Sequence, residues 1–572
     1  MEKINQFLKN HKWAIFLALI TAIIVAAPQI YFRYHNQNIY QGVEIIGDSP
    51  WTPRVQEAKE GHLNFGSIYY KDGKSDPYLL QPLGSIIVAY LGKIFSLDLN
   101  NTFLLFRLIF PFLVFLIIYS FVLLFSKDKL AALTSATVVL LGEALLSRSA
   151  FFLMLKGETP RSFLYITRAV NPAMTFFFFF SFLLFFWLFY EKRQWRWGII
   201  STLILGLTFY DYFYTWTFLY AFAGTLVLIL FFQKNWREAK RIIAVFAGGV
   251  ILAIPYFLNL YRTTTYSTYQ EVRQIFGMIQ SHAPTLGFLV SFVLIVFLLF
   301  FPREYKERYL FSLALVIAPF ITLNQQIITG KMLQVGHYHW FFHTPLAIIF
   351  LLVIFFYWVS KKNWKIIKRI SVIAIIIISI CTGIFIQAVS YADIENKAIE
   401  SQRYGPIINW FNTNAEKEEV VFADDELSHL IVSYTPLNVF YHRAAMYSLS
   451  ASRERLLHIL FTFYRLEGVG KEETQAVFFR DRGDISAKIY GVYYRELVGS
   501  YEAIPDEKIQ EIVDEYLESL SISDSEFLNQ IWTKYEVKYL VWDKKINPEW
   551  NLDKYSFLKK VAEIGDFIIY QK

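Results

Sequence analysis

Two acidic residues follow the first hydrophobic segment in the stretch VEIIGDSPWTPRVQEAKEGHLNFG (residues 43–66). Glu44 and Asp48 carry carboxylates, which can take a proton from an attacking hydroxyl group as a general base. Arg54 and Glu57 follow within the same stretch, and an arginine is suited to binding phosphate. Simpler roles are open for each residue: Asp48 can cap a turn before a proline, Glu44 can be a solvated loop residue, and Arg54 can pair with Glu57.

Basic side chains recur in two later polar stretches, and together they could bind a phosphate group. They are Arg161, Arg168, Lys331, His337, His339 and His343. His339 and His343 share one helical face, a spacing that a metal ion could use, but no acid lies beside them. We expect these histidines to contact a phosphate or a sugar, or to form an interfacial belt together with Trp340.

Long apolar segments must position these side chains. The chain has 572 residues, of which 55% are hydrophobic and 18% are charged. Repeated apolar runs of this length predict membrane-spanning helices. We predict about eleven spans, at 13–32, 102–125, 130–147, 173–190, 197–210, 213–232, 242–260, 285–301, 309–323, 345–359 and 370–390. The first is expected to be an uncleaved signal-anchor, because Pro28 follows a poor cleavage site.

The distribution of basic residues predicts the topology. Five short loops are basic, at 126–129, 191–196, 233–241, 302–308 and 361–369. They fall on the cytoplasmic side with the N-terminus only if the stretch Tyr78–Phe95 does not cross the membrane. We therefore predict that this stretch is interfacial or re-entrant, and that the long first loop 34–101 is extracytoplasmic. The protein is then a multi-pass protein of the plasma membrane.

The composition becomes that of a soluble domain near Ser390. We predict two regions: a helical transmembrane region at 1–390 and an extracytoplasmic α/β domain at 391–572. In the second region, EEVVFAD and PLNVFYH are typical of strands, SASRERLLHILFTFY of a Ser-capped helix, QIWTKYEVKYLVWDKK of a helix and a strand, and VAEIGDFIIYQK of a closing hairpin.

The sequence GDSPWTPRVQEAKEGH resembles the first-loop acid motif of the GT-C superfamily of membrane glycosyltransferases. The layout of spans, long first loop and C-terminal domain is also similar over essentially the whole chain. The resemblance implies that Asp48 is the catalytic base, that Glu44 assists it, and that Arg54 and Glu57 match an R-x-x-E pattern. It implies an inverting transfer of a sugar from a polyprenyl-phosphate-linked donor to an extracytoplasmic glycan, lipid or protein acceptor.

The chain departs from the family pattern at three points. Asp48 is followed by Ser49 rather than a second acid, and the WWD motif of oligosaccharyltransferases is absent. Glu158 stands without an Asp-x-Asp pair. Peptide asparagine glycosylation is therefore not indicated. No metal ligands are assigned and no cofactor is expected, because nothing here supports the divalent metal that other members use.

Two other classes of protein are open. A membrane transporter or flippase would place polar residues in mid-span, whereas the predicted spans are largely free of charge, Glu143 aside. A receptor or scaffold would bind a partner through the C-terminal domain. The net charge of +7 is explained by basic cytoplasmic loops, so we expect a lipid bilayer and no nucleic acid as partner.

Overall fold

The computed structural model describes residues 2–44, 51–159, 162–275, 279–491 and 504–572. Eight helices in these ranges are long and apolar enough to cross a membrane. They are Lys9–His35, Leu99–Ser126, Lys129–Leu146, Ala169–Lys192, Phe213–Phe232, Lys306–Thr329, Val335–Lys361 and Lys365–Asn414. A broken pair, Trp236–Leu252 and Ile254–Thr263, bends by 51° and makes a ninth if counted as one span.

The predicted helical membrane fold is confirmed, but the count of eleven spans is not. The two remaining predicted spans, 197–210 and 285–301, correspond to the helices Trp195–Asp211 and Phe288–Phe300, of 17 and 13 residues. At 1.5 Å per residue these helices are about 25 and 20 Å long. Both are shorter than the roughly 30 Å hydrocarbon core of a bilayer.

The five basic loops meet at one end of the helical bundle, which we name the basic end. Lys127 pairs with Glu191 at 3.2 Å, and Arg193 lies 3.6 Å from Glu238. The other two loops are joined in the same way, by the pairs Arg193–Glu307, Lys361–Glu304 and Lys368–Asp128. The positive charges that predicted one shared side of the membrane therefore do lie together.

Two short helices of the first loop lie against the opposite end of the bundle. They are Trp51–Glu60 and Leu83–Ile94, and they pack against each other. The second has 12 residues, or about 18 Å, and falls inside the stretch that we predicted would not cross. Further short elements of the bundle are the helices Arg148–Leu155, Tyr269–Ile275, Gln326–Thr329 and Val335–Tyr338, and the antiparallel strands β1, Ile279–Gln280, and β2, Lys331–Met332.

The C-terminal region is an α/β domain. Its five strands are β3, Val420–Phe422; β4, Asn438–Val439; β5, Val537–Asp543; β6, Lys559–Ile564; and β7, Phe567–Gln571. They form one sheet in the order β4-β3-β5-β7-β6, parallel among the first three strands and antiparallel for β5-β7 and β6-β7. The helices are Gly405–Asn414, Asp425–Tyr434, Arg453–Leu466, Thr474–Arg480, Arg482–Tyr490, Asp506–Ser519 and Asp524–Lys534.

Local sequence signals place most of these elements correctly. Ser452 caps the helix Arg453–Leu466 by accepting a hydrogen bond from the backbone N–H of Arg455, as an N-cap serine does. The predicted closing hairpin is the β6-β7 pair. The last long helix, Lys365–Ser401, continues beyond the composition change near Ser390, so this helix connects the bundle directly to the domain.

The first loop is bound tightly to the C-terminal domain. Gln402 accepts a hydrogen bond from the backbone N–H of Gln41 at 2.9 Å and donates to the carbonyl of Val43 at 2.9 Å. Val439 of β4 donates to the carbonyl of Tyr69 at 2.8 Å. We name this end of the bundle, which carries both the first loop and residues 402–572, the domain end.

Candidate functional site

Glu44 lies at the domain end and is not a solvated loop residue. Its carboxylate is 5% exposed and accepts hydrogen bonds from Arg33, at 2.9 Å, and from the amide of Gln29. Its backbone N–H donates to the Tyr434 hydroxyl at 3.1 Å. Glu44 therefore joins the first span, the first loop and the C-terminal domain. Asp48 lies outside the described residues, and its catalytic role stays a prediction.

A buried arginine that the sequence analysis missed continues this network into the bundle. Arg107 is 1% exposed and lies in the helix Leu99–Ser126. It donates to Gln29 at 2.7 Å and to the carbonyl of Thr167 at 3.1 Å. Arg107 is therefore a second exception, besides Glu143, to the expectation that the spans are largely free of charge. The sequence signal for this residue was a lone arginine within an apolar run, since a charged residue inside a span is energetically costly and usually functional.

Arg54 and Glu57 both lie in the helix Trp51–Glu60, but they do not pair with each other. Arg54 is 3% exposed, donates to the carbonyls of Leu80 and Gln81, and lies over the Phe65 ring at 4.6 Å. Burial lowers the pKa of its guanidinium to about 10. The contacts of Arg54 hold the chain that enters the helix Leu83–Ile94.

Glu57 binds His62 at 2.9 Å and also pairs with Lys74. The Glu57 carboxylate raises the pKa of the His62 imidazole through this hydrogen bond. The other nitrogen of His62 lies 3.1 Å from Glu418 of the C-terminal domain. Glu57 is thus occupied by neighbouring side chains, and its predicted role in binding substrate remains untested.

A second polar cluster lies where the helices Trp195–Asp211 and Phe213–Phe232 meet. Asp211 is buried and accepts a hydrogen bond from Thr175 at 3.2 Å. Tyr212 is hydrogen bonded to Nδ1 of His337. The His337 ring also stacks on Tyr214, with centroids 4.9 Å apart. The tyrosines beside Asp211 therefore hold a histidine rather than forming a simple aromatic belt.

Arg168 is exposed and close enough to His337 for the two side chains to interact electrostatically. It follows Thr167, whose carbonyl binds Arg107. The hydrogen-bonded network of Glu44 therefore reaches, through a missed arginine, the residue that precedes Arg168. Arg161 lies outside the described residues.

The other described basic candidates are His343, His339 and Lys331. His343 is buried and hydrogen bonds to Thr322 at 3.1 Å. The exposed His339 lies edge-on to it, with ring centroids 6.4 Å apart. Lys331 is exposed on β2. In the described part of the chain, no group of three or more His, Cys, Asp or Glu side chains is placed to hold a metal ion, and metal dependence stays untested.

Irregular helical turns surround the same region. The π-helical turns Val138–Gly142, Ala169–Met174 and His339–His343 all interrupt candidate spans. Glu143 follows the first of these turns and lines a small cavity together with Tyr165 and Trp340. Turns of this kind occur frequently at functional sites, so these breaks in the helices support a site at this end of the bundle.

No protein-family model and no curated protein matches the chain. Solved structures of the Archaeoglobus fulgidus oligosaccharyltransferase are similar. The form tethered to an acceptor peptide has 11% identity and a TM-score of 0.48, over 95% of this chain and 70% of that chain. The complex with an inhibitory peptide and a dolichol-phosphate has 12% identity and a TM-score of 0.45, over 94% of this chain and 70% of that chain. A likeness this distant does not define chemistry.

Proposed function

We propose that the protein is a membrane glycosyltransferase of GT-C type. It moves a sugar from a polyprenyl-phosphate-linked donor to an acceptor at the domain end of the bundle, which we place on the extracytoplasmic side. One observation carries this proposal. A continuous hydrogen-bonded chain runs from Glu44 through Gln29 and Arg107 to the Thr167 carbonyl, beside Arg168. The acid-bearing segment and the candidate phosphate-binding cation therefore share one end of the bundle.

The segment that contains the proposed base is fixed on both flanks. Glu44 precedes it and is bound to Arg33 and Gln29. Trp51 follows it and packs against the hydrophobic core of the bundle. A base must be held at a constant position relative to the donor, because small displacements slow a transfer reaction strongly. The anchoring of the described residues on either side of this segment supports the proposal.

In the proposed reaction, a hydroxyl group of the acceptor loses its proton to Asp48 as it attacks the anomeric carbon of the donor sugar. The new bond forms on the face opposite the phosphate, and the bond between the anomeric carbon and the phosphate oxygen breaks. The configuration of the sugar is therefore inverted. The lipid phosphate leaves with the bonding electrons, and nearby cations stabilise its charge.

Arg168 and His337 are the described side chains best placed to bind the leaving phosphate. Arg168 is exposed, and His337 is fixed by Tyr212 and Tyr214. Arg161, Lys331 and His339 are further candidates for binding the phosphate of the donor. Arg107 is a positioning residue, because both of its described acceptors are protein groups.

The Asp48→Asn variant tests the proposal. The amide keeps the size of the side chain but cannot accept the proton, so we expect sugar transfer to fall by about 10²–10⁴-fold. The measurement is transfer of label from a panel of radiolabelled polyprenyl-phosphate sugars in membranes that contain the protein. Asp393→Asn is the matched control, because Asp393 is an exposed carboxylate on the helix Lys365–Ser401. Its activity should equal that of the unmodified protein.

Retained transfer in Asp48→Asn, at normal membrane levels, would remove Asp48 as the base. Movement of a lipid-linked substrate across the bilayer that requires Glu143 and not Asp48 would instead favour a transporter. The two outcomes are separable, because transfer changes the covalent structure of the substrate and transport does not.

A further inference from the structure

A polar cavity of about 300 Å³ lies between the end of the first span and the C-terminal domain. Arg33 and Asp98 line it from the bundle, and Asn409 and Asn412 line it from the helix Gly405–Asn414. Its lining shares no residue with the cluster around Asp211 and His337. A volume of this size is at the lower limit of pockets that bind small molecules, about 300–1,000 Å³.

In the described lining of this cavity, Arg33 is paired with an internal carboxylate, and Asp98 is a carboxylate that accepts hydrogen bonds from neutral groups. The Arg33 guanidinium binds the carboxylate of Glu44 at 2.9 Å and the side-chain oxygen of Asn101 at 2.8 Å. Asp98 accepts hydrogen bonds from the backbone N–H of Asn101, at 2.8 Å, and from its side-chain amide. A phosphate or another anion would therefore have to compete with an internal carboxylate for the cation, and the cavity favours a neutral ligand.

The C-terminal side of the cavity offers free hydrogen-bonding groups. Asn409 and Asn412 are both exposed. The Asn412 amide nitrogen donates to the Tyr434 carbonyl at 3.2 Å, which leaves its side-chain oxygen available. Among the described residues, no partner binds the side-chain amide of Asn409. An asparagine amide both donates and accepts, as the hydroxyl groups of a sugar do.

Aromatic rings complete the lining. Tyr40 and Tyr434 border the cavity, and each is partly exposed. The hydroxyl of Tyr434 is held by Asn100 at 3.0 Å, so the ring is fixed in place. Rigid aromatic rings offer apolar contact area at a low entropy cost. Side-chain amides, fixed rings and a neutralised charge pair are suited to a polyhydroxylated, uncharged ligand.

We propose that this cavity is a binding site for a neutral saccharide. It opens beside the end of the first span, where a glycan attached to a lipid or displayed near the membrane surface can reach it. The site is measured by binding alone, so it does not depend on the transfer reaction proposed above. If that reaction occurs, Arg33 links the saccharide site directly to Glu44 and hence to the segment that carries the proposed base.

Saturation-transfer NMR on the full-length protein in lipid nanodiscs, free of glycoside detergent, tests the proposal. The probes are methyl glucoside, methyl mannoside and diacetylchitobiose, and inorganic phosphate is added as an anionic competitor that would displace a bound saccharide. We expect at least one saccharide to bind and phosphate not to displace it from this cavity. The Asn409→Ala/Asn412→Ala variant should weaken that binding by about tenfold, as the loss of two hydrogen bonds predicts.

Asn414→Ala is the matched control, because Asn414 is exposed on the same helix and does not line the cavity. It should bind the saccharide as the unmodified protein does. The Asn409→Ala single variant removes a side chain that has no hydrogen-bond partner among the described residues. It still tests the site if the double variant does not fold. The proposal is overturned if none of the three saccharides binds, if the double variant binds them unchanged, or if phosphate binds in their place. Saccharide binding that persists in Asp48→Asn separates this site from the transfer reaction.

Discussion

At the scale of single residues, the acidic residues of the first loop are easier to recognise in the sequence than the arginine to which they are connected. Glu44 and Asp48 are conspicuous because acids directly after a hydrophobic span are unusual. Arg107 is equally important to the arrangement, yet it is a single letter within an apolar run. Its meaning depends on Gln29 and Thr167, which lie 78 and 60 residues away along the chain.

The network predicts a large effect of Arg107→Met. The substitution leaves the Gln29 oxygen and the Thr167 carbonyl without this donor inside the bundle, which should cost about 2–4 kcal/mol of stability. Thermal unfolding in detergent should show a midpoint lower by several degrees. Arg107→Lys should be intermediate, because an ammonium group replaces only part of the forked guanidinium.

The matched control for this change is Arg237→Met, at an exposed position in the helix Trp236–Leu252. It should leave the midpoint unchanged. Equal midpoints for Arg107→Met and the unmodified protein would mean that the buried hydrogen bonds contribute nothing, and the proposed positioning role would fail with them.

At the scale of elements, the short helix Leu83–Ile94 connects the first loop to the second polar cluster. Arg54 binds the carbonyls of Leu80 and Gln81 just before it. A Cβ at Gly84 would lie 2.8 Å from a methyl group of Val170 and 3.6 Å from a carboxylate oxygen of Asp211. The absence of a side chain at Gly84 therefore allows this helix to approach the cluster.

Gly84→Ala should push the helix away from Val170, with a cost of about 1–3 kcal/mol from overpacking. Val170→Ala supplies the missing space, so the double variant should recover much of the loss, as a double-mutant cycle would measure. Thermal stability and the accessibility of an introduced thiol in this helix are suitable readouts. Gly224→Ala is the control, since a Cβ there meets nothing within 4 Å. Additive effects of the two changes would contradict direct packing between these residues.

At the scale of the whole molecule, charge and apolar burial separate two ends of one bundle. The basic end is held by ion pairs between loops, and the domain end is held by the first loop packed into the core of the C-terminal domain. Tyr69 of the first loop stacks on His442 at 4.4 Å, and His442 stacks on His429 at 5.3 Å. Burial lowers the pKa of both histidines to about 3.

These two histidines predict that the domain loses stability in acid. Their pKa in the unfolded chain is about 6.5, so between pH 6.5 and about 3 the unfolded state binds protons that the folded state does not. The stability present above pH 6.5 should therefore fall as the pH decreases, by about 1 kcal/mol per pH unit for each histidine. Unfolding midpoints between pH 7.5 and 5 measure this slope, with His429→Gln/His442→Gln expected to flatten it. His282→Gln, at an exposed position, should keep it, and equal slopes in all three proteins would contradict the assignment.

The extent of the fold that the sequence predicts follows from the range of the interactions involved. Apolar length, the Ser452 cap and the closing hairpin are local signals. The cap and the hairpin placed their elements correctly, and apolar length placed most of the long helices. The predicted spans 197–210 and 285–301 correspond to helices that are too short to be assigned as spans by length. No local pattern showed that Arg54 would be buried against Phe65, because this contact joins two separate parts of the first loop.

The sequence by itself determined that this is a multi-span membrane protein with a C-terminal α/β domain, because hydrophobicity and charge act on each segment separately. Only the tertiary structure decided that Glu44 is connected through Gln29 and Arg107 to the carbonyl of Thr167, and that Tyr212 and Tyr214 hold His337. The physical reason is that hydrogen bonds and ion pairs between distant segments form only after the helices have packed, so their partners cannot be identified from spacing along the chain.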